Sequence, residues 1–95
     1  MNIYELMDDY GKPYAWAHDI ERGYIVINTI EAQVIAKCNG QREAMTLAHR
    51  LNCYAFAVNA TKAKDAAAMR LGLASKDEEM RKAFNSALIN MAVNH

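Results

Sequence analysis

From Tyr14 onward the spacing of apolar residues changes once, at Asn39-Gly40. Before that point they alternate or cluster in short runs. Tyr14, Trp16, His18 and Ile20 fall at every second position, while Tyr24 to Asn28 and Gln33 to Cys38 are rich in Val and Ile and too short to stand alone as helices. After Gly40, Ala44, Leu47, Ala48 and Leu51 recur at i, i+3, i+4 and i+7, the spacing of one helix face. The pattern predicts an antiparallel hairpin over Tyr24–Asn28 and Gln33–Cys38. Asn39-Gly40 then serves as a strand-to-helix turn, although the dipeptide alone would suit a second hairpin.

The segment YAWAHDIERG fits two readings. Pro13 ahead of it and Gly23 after it suit a helix, whereas the alternation suits a strand, which we prefer. Asn2 followed by Glu5 has capping-box spacing, and Ile3, Leu6, Met7 and Tyr10 share a helical face, so a short helix over about Ile3 to Tyr10 is expected. From Cys53 to about Leu71 the stripe Phe56, Ala60, Ala63, Ala67 and Leu71 predicts a second long helix; the pattern leaves open whether it is continuous with the helix before Asn52. Gly72 is expected to end it. Ser75 with Glu78 forms another capping box, and Met80, Phe84, Ala87, Leu88 and Met91 make the apolar face of a last helix. Together these elements predict one α+β domain over residues 1–95: a small antiparallel sheet of two or three strands, three helices packed on one of its faces, and the short N-terminal helix.

Composition narrows the function classes. Eleven basic and eleven acidic residues cancel, which removes the whole-chain argument for a nucleic-acid binder. The charge is nonetheless uneven: within residues 1–40 three bases (Lys12, Arg22, Lys37) face six acids (Glu5, Asp8, Asp9, Asp19, Glu21, Glu31). The first part is therefore negative and the remainder positive. Cys38 and Cys53 form no CxxC pair and read as buried thiols of a reducing compartment. MNIYELMDD lacks the basic and apolar blocks of a secretory signal, and no apolar run approaches a membrane span, so a cytoplasmic protein is expected.

Candidate chemistry is sparse. The glycines at 11, 23, 40 and 72 each stand where one element gives way to another, leaving none for a phosphate-cradling loop. His49 and Cys53 share a face only if one helix runs through Asn52, and they read as a half-exposed His and a buried Cys, with no metal and no cofactor expected. His18, Asp19 and Glu21 are neighbours, yet adjacent residues of a strand diverge and no nucleophile or oxyanion donor accompanies them; no catalytic activity is expected. Lys62 and Lys64 point to opposite sides of a helix, so with Arg70 they describe a solvated face, not a nucleic-acid groove. The methionines at 45, 69, 80 and 91 read as core, with an oligomer seam on the last helix as the alternative.

The aromatic residues are the least ordinary feature. Tyr4, Tyr10, Tyr14, Trp16 and Tyr24 place five of the eight aromatics in the first quarter, among acids. Asp8, Asp9, Tyr10, Tyr14 and Trp16 combine charge with rigid anchors and form the candidate protein-binding site; the opposing reading makes the aromatics ordinary core of a small sheet.

A strand ending at Asn28, a strand ending in Ala36-Lys37-Cys38, and Glu43-Ala44 leading to Leu47-Ala48 and Leu51-Asn52 resemble the small orphan proteins of phages and prophages. The resemblance covers about a third of the chain, and the long Ala-rich and C-terminal helices depart from the shorter tails of that group. It implies an accessory protein that binds and blocks a host protein or protein–RNA complex, as anti-CRISPR inhibitors do, and it carries over no functional residue. A possible homodimer, a nucleic-acid-binding regulator and an oligomeric small-nucleotide binder are the further readings.

Overall fold

The computed structural model describes residues 12–63 and 65–93. The expected helix over Ile3 to Tyr10 lies outside these residues. The described elements are β1 (Tyr14–Asp19), β2 (Gly23–Asn28), β3 (Gln33–Cys38), α1 (Gln41–Ala63), α2 (Ala66–Leu73) and α3 (Glu78–Val93). Among the described residues the fold is α+β, with a three-stranded antiparallel sheet in the order β1-β2-β3 and three helices. By packing, the chain falls into two compact units, Pro13–Asn52 and the chain from Cys53 onward.

In the first unit, β1 pairs with β2 from Tyr14↔Asn28 to Asp19↔Gly23. The strand reading of YAWAHD is thus the one that forms, with Ile20 beyond its end in the turn. Strand β2 pairs with β3 from Tyr24↔Cys38 to Asn28↔Gln33, with a bulge that shifts the register between Val26 and Ile27. Val26, Ala44 and Ala48 form the buried core of this unit, and Tyr14, Tyr24, Ala36, Cys38, Leu47 and Leu51 pack against them. Within this unit the helical side of that core comes from α1, through the stripe read from the sequence. Ile25 is also buried, and because successive strand residues face opposite ways, it lies on the other face of β2 from Val26.

The two hairpin loops solve one geometric problem in different ways. Asp19 Oδ1 accepts the N–H groups of Glu21 and Arg22 at 2.8 and 3.1 Å, and Gly23 closes that loop at φ +79°. Asn28 Oδ1 likewise accepts from Ile30 and Glu31 at 3.0 and 3.2 Å, but here the left-handed position is held by Ala32 at φ +54°. A Cβ in that region costs about 1–2 kcal/mol, which glycine avoids. Ala32→Gly is therefore expected to stabilise the protein by up to about 1 kcal/mol after the extra backbone entropy of glycine is set against it. Chemical denaturation reads this directly, and a loss of stability would show that the Ala32 methyl makes a compensating contact.

Helix α1 starts where the sequence turn was placed: Gly40 O accepts Ala44 N at 3.1 Å, and Glu43 reaches back to Asn39 N at 3.1 Å. It then runs unbroken through Asn52 to Ala63, answering the question the pattern left open. The break comes later, contrary to the expected helix over Cys53 to Leu71. The Asp65 carboxylate accepts from Ala67 N and Ala68 N and caps a new helix, α2. This resets the helical phase, so Ala68 is buried while Ala63 and Ala67 are exposed. The last helix also begins later than the Ser75 box implied. Asp77 Oδ1 accepts from Glu79 N and Met80 N at 3.0 and 3.2 Å, while Ser75 Oγ accepts from Asp77 N at 3.0 Å. Asp77 is the cap and Ser75 supports it.

The core of the second unit comprises Cys53, Phe56, Ala57 and Ala60 of α1, Ala68 of α2, and Met80, Phe84 and Ala87 of α3. Phe56 and Phe84 meet with ring centroids 6.4 Å apart. Gly72 does not end a helix as expected; it lies inside α2, buried, with the Phe84 ring against its Cα. Of the four methionines read as core, Met80 is fully buried, Met69 packs against this cluster, Met91 is half-buried and Met45 is exposed on the other unit.

Candidate functional site

Of the five residues proposed as a binding site, Asp8, Asp9 and Tyr10 lie outside the described residues, and Tyr14 and Trp16 stand on one face of β1. The two have different environments. Tyr14 is half-buried and packs on the core with Val26, Ala44 and Ala48, as the core reading of the aromatics has it. Trp16 is 37% exposed. Its ring lies 6.4 Å from that of Tyr24, tilted by 41°, and Tyr24 also meets His18 at 4.7 Å. The sheet register causes this grouping, because Trp16↔Val26 and His18↔Tyr24 put Trp16, His18 and Tyr24 on the same face. His18 and Tyr24 were not part of the sequence-based site; the alternation Tyr14-Trp16-His18 with Tyr24 across the hairpin was the signal that would have included them.

The main chain of β1 is asymmetrically protected. Thr29 N donates to Pro13 O at 2.7 Å, so residues 13, 15, 17 and 19 make the bonds to β2, and the N–H and C=O of Tyr14, Trp16 and His18 point away from it. Asn52 takes the first of these three positions. Its Oδ1 accepts Tyr14 N at 3.0 Å and its Nδ2 donates to Tyr14 O at 2.8 Å, imitating one residue of a neighbouring strand. Trp16 and His18 have no such partner among the described residues. At the opposite edge, β3 carries the bulge and the exposed Lys37, two features that discourage further strand pairing.

The acidic and thiol groups differ in what surrounds them. The Asp19 carboxyl is held below its ordinary range, first by the N–H of Glu21 and then by that of Arg22, and its charge serves the turn. His18 and Asp19 lie on opposite faces of β1, and the His18 charge is the smallest of the influences that lower the Asp19 carboxyl. Helix continuity places His49, half-exposed, one turn before the fully buried Cys53, the burial expected of each. Burial, with the Asp77 and Glu79 carboxylates adding to it, pushes the Cys53 thiol up to about 12. A protonated, enclosed thiol is a poor nucleophile. In the folded protein an alkylating reagent near pH 8 should therefore label Cys38 and spare Cys53 until the chain unfolds. The same shift makes Cys53 contribute to alkaline sensitivity. The unfolded thiol releases its proton near 9, the folded one only near 12, and stability falls as pH rises across that window. Equal labelling rates at the two cysteines in native protein would disprove the assignment.

In the second unit Tyr54, Val58, Ala87 and Met91 line an open groove of about 410 Å³ whose polar groups come from Thr61, Lys62 and Asn90. The buried Thr61 hydroxyl donates back to Ala57 O and Val58 O, so it is turned into its own helix. Lys62 and Arg70 are exposed, as a solvated face requires; Lys64 lies outside the described residues. Among the described residues no helix is long and apolar enough to cross a membrane. Comparison of the chain with protein-family models, with curated proteins and with solved structures finds no match.

Proposed function

We propose that this protein is a non-enzymatic, phage-type accessory protein that acts in the cytoplasm by binding and blocking a host protein or protein–RNA complex, as anti-CRISPR inhibitors do, and that it forms a homodimer. The binding surface is the acidic aromatic N-terminal quarter, Asp8, Asp9, Tyr10, Tyr14 and Trp16, facing a basic partner. The observation that supports the reading is the exposure of Trp16, a large anchor left partly in solvent beside Tyr24 and His18 while a neighbouring aromatic, Tyr14, packs inward. Such residues dominate protein interfaces when a partner desolvates them.

The test is capture of the partner from host lysate followed by affinity measurement with Trp16→Ala. Truncating an interface anchor costs 2 kcal/mol or more, so a fall of roughly thirtyfold or greater is expected. Trp16→Ala is preferable to Tyr14→Ala, whose side chain supports the core. An unchanged affinity in a folded variant would remove Trp16 from the site. A gel shift whose strength collapses between low and moderate salt would instead favour the nucleic-acid regulator.

A further inference from the structure

We infer that the second copy in the proposed homodimer adds to the sheet along β1, antiparallel, about a two-fold axis at Ala17, giving a continuous six-stranded sheet. The inference rests on the self-association proposed above and specifies where it occurs. The argument is one of donor and acceptor matching. The outward groups of β1 belong to Tyr14, Trp16 and His18, and Asn52 already occupies those of Tyr14. Among the described residues, what remains is one N–H and one C=O at each of Trp16 and His18.

An antiparallel two-fold has few registers to choose from. Centred on Trp16, it pairs Trp16 with its own copy and sets Tyr14 against His18 of the second copy, a pairing that Asn52 blocks. Centred on His18, it sets Trp16 against Ile20 of the second copy, which lies beyond the end of the strand. Centred on Ala17, it pairs Trp16 with His18 of the second copy and the reverse, so each pair exchanges two bonds and all four remaining groups of each edge are satisfied. In this register only Ile20 of the second copy would fall opposite the capped Tyr14, and because it lies beyond the end of its strand the paired segment stops before the place that Asn52 holds. Asp19 falls opposite Ala15, so no like charges face each other.

The other edge is a weaker template, since the bulge and Lys37 of β3 oppose pairing. An unrelated extended peptide could use the Trp16 and His18 groups, but nothing in β1 would fix its register as the Asn52 cap fixes that of a second copy. Pairing along the edge uses main-chain groups and leaves the two Trp16 rings on one continuous face. The partner-binding surface is therefore duplicated and not consumed.

Sedimentation velocity of the full chain over a range of concentrations, with substitutions at the axis, tests the inference. The wild type should dimerise. Ala17→Glu and Ala17→Lys should each be monomeric, because each places like charges directly opposite, and an equal mixture of the two should recover the dimer. Ala17→Cys in a Cys38→Ser background should cross-link to itself on mild oxidation, since facing residues of a non-hydrogen-bonded antiparallel pair lie within disulfide reach. This variant also decides the matter if the charged ones fail to fold. A monomeric wild type at all concentrations would overturn the self-association itself. A dimer that persists in Ala17→Glu and does not cross-link through Ala17→Cys would keep the dimer and overturn this seam, returning it to α3.

Discussion

Gly72→Ala is expected to destabilise the unit from Cys53 onward by about 2–3 kcal/mol, against the usual gain from replacing a helical glycine. On intrinsic propensity the change should help by up to about 1 kcal/mol, because glycine is the poorest ordinary residue in a helix interior. The space decides otherwise. A Cβ built on Gly72 meets the Phe84 ring, at 2.7 Å from Cε2 and 2.9 Å from Cγ, with Cδ2 nearer still. These contacts are far inside van der Waals separation. Phe84 cannot swing aside cheaply, since it is fully buried and packed among Phe56, Met80 and Ala87. The backbone of Gly72 is not in the left-handed region, so its role is proximity of α2 to α3 and not conformational freedom. Thermal or urea unfolding followed by circular dichroism gives the measurement. The double variant with Phe84→Leu should recover part of the loss, because a smaller side chain reopens the volume the methyl requires. A neutral or stabilising Gly72→Ala would mean that α2 and α3 can separate at no cost.

The sequence made some of these relationships legible and concealed others for physical reasons. The strands were readable because a half-buried sheet imposes a period of two, and Tyr14-Trp16-His18 and the Val/Ile runs show it. The start of α1 was readable because Asn39-Gly40 coincides with the change of period. The break at Asp65 was obscured by alanine. In NATKAKDAAAM a small apolar side chain is tolerated on any face, so the apolar spacing runs on through Ala63 and Ala67 while the helix itself stops and restarts. Ser75 reads as a cap because Ser and Asp both cap, and only the positions of N–H groups decide between Ser75 and Asp77. For the candidate site, sequence alone proposed Tyr14 and Trp16 as equals. Their separation into an inward Tyr14 and a partly exposed Trp16 depends on what lies over each end of β1, which periodicity does not encode.

Asn52 was the least legible residue of all. In the middle of a helix it reads as a weak helix former and a candidate break, yet it is buried and bonded to the main chain of Tyr14, thirty-eight residues away. Asn52→Ala should cost about 2–3 kcal/mol, more than the loss of two ordinary hydrogen bonds, because the part-buried N–H and C=O of Tyr14 lose their partner. The small gain in helix propensity from alanine, a fraction of a kcal/mol, does not offset this. Asn52→Asp gives a sharper signature. A carboxylate can still accept from Tyr14 N but repels Tyr14 O, whereas the protonated acid can donate to that oxygen and restore both bonds. Folding therefore favours the protonated form and raises the pKa of the introduced carboxyl above its unfolded value. The variant should be near wild-type stability in acid and lose stability as pH rises through that range, the slope being set by the extra proton bound in the folded state. Denaturation midpoints of wild type and Asn52→Asp compared from pH 4 to pH 7 would reveal it. Parallel curves for the two proteins would mean that the Tyr14 carbonyl does not depend on the amide of Asn52. In Asn52→Ala the freed groups of Tyr14 also lengthen the open edge of β1 by one hydrogen-bonding position, so increased aggregation should accompany the loss of stability.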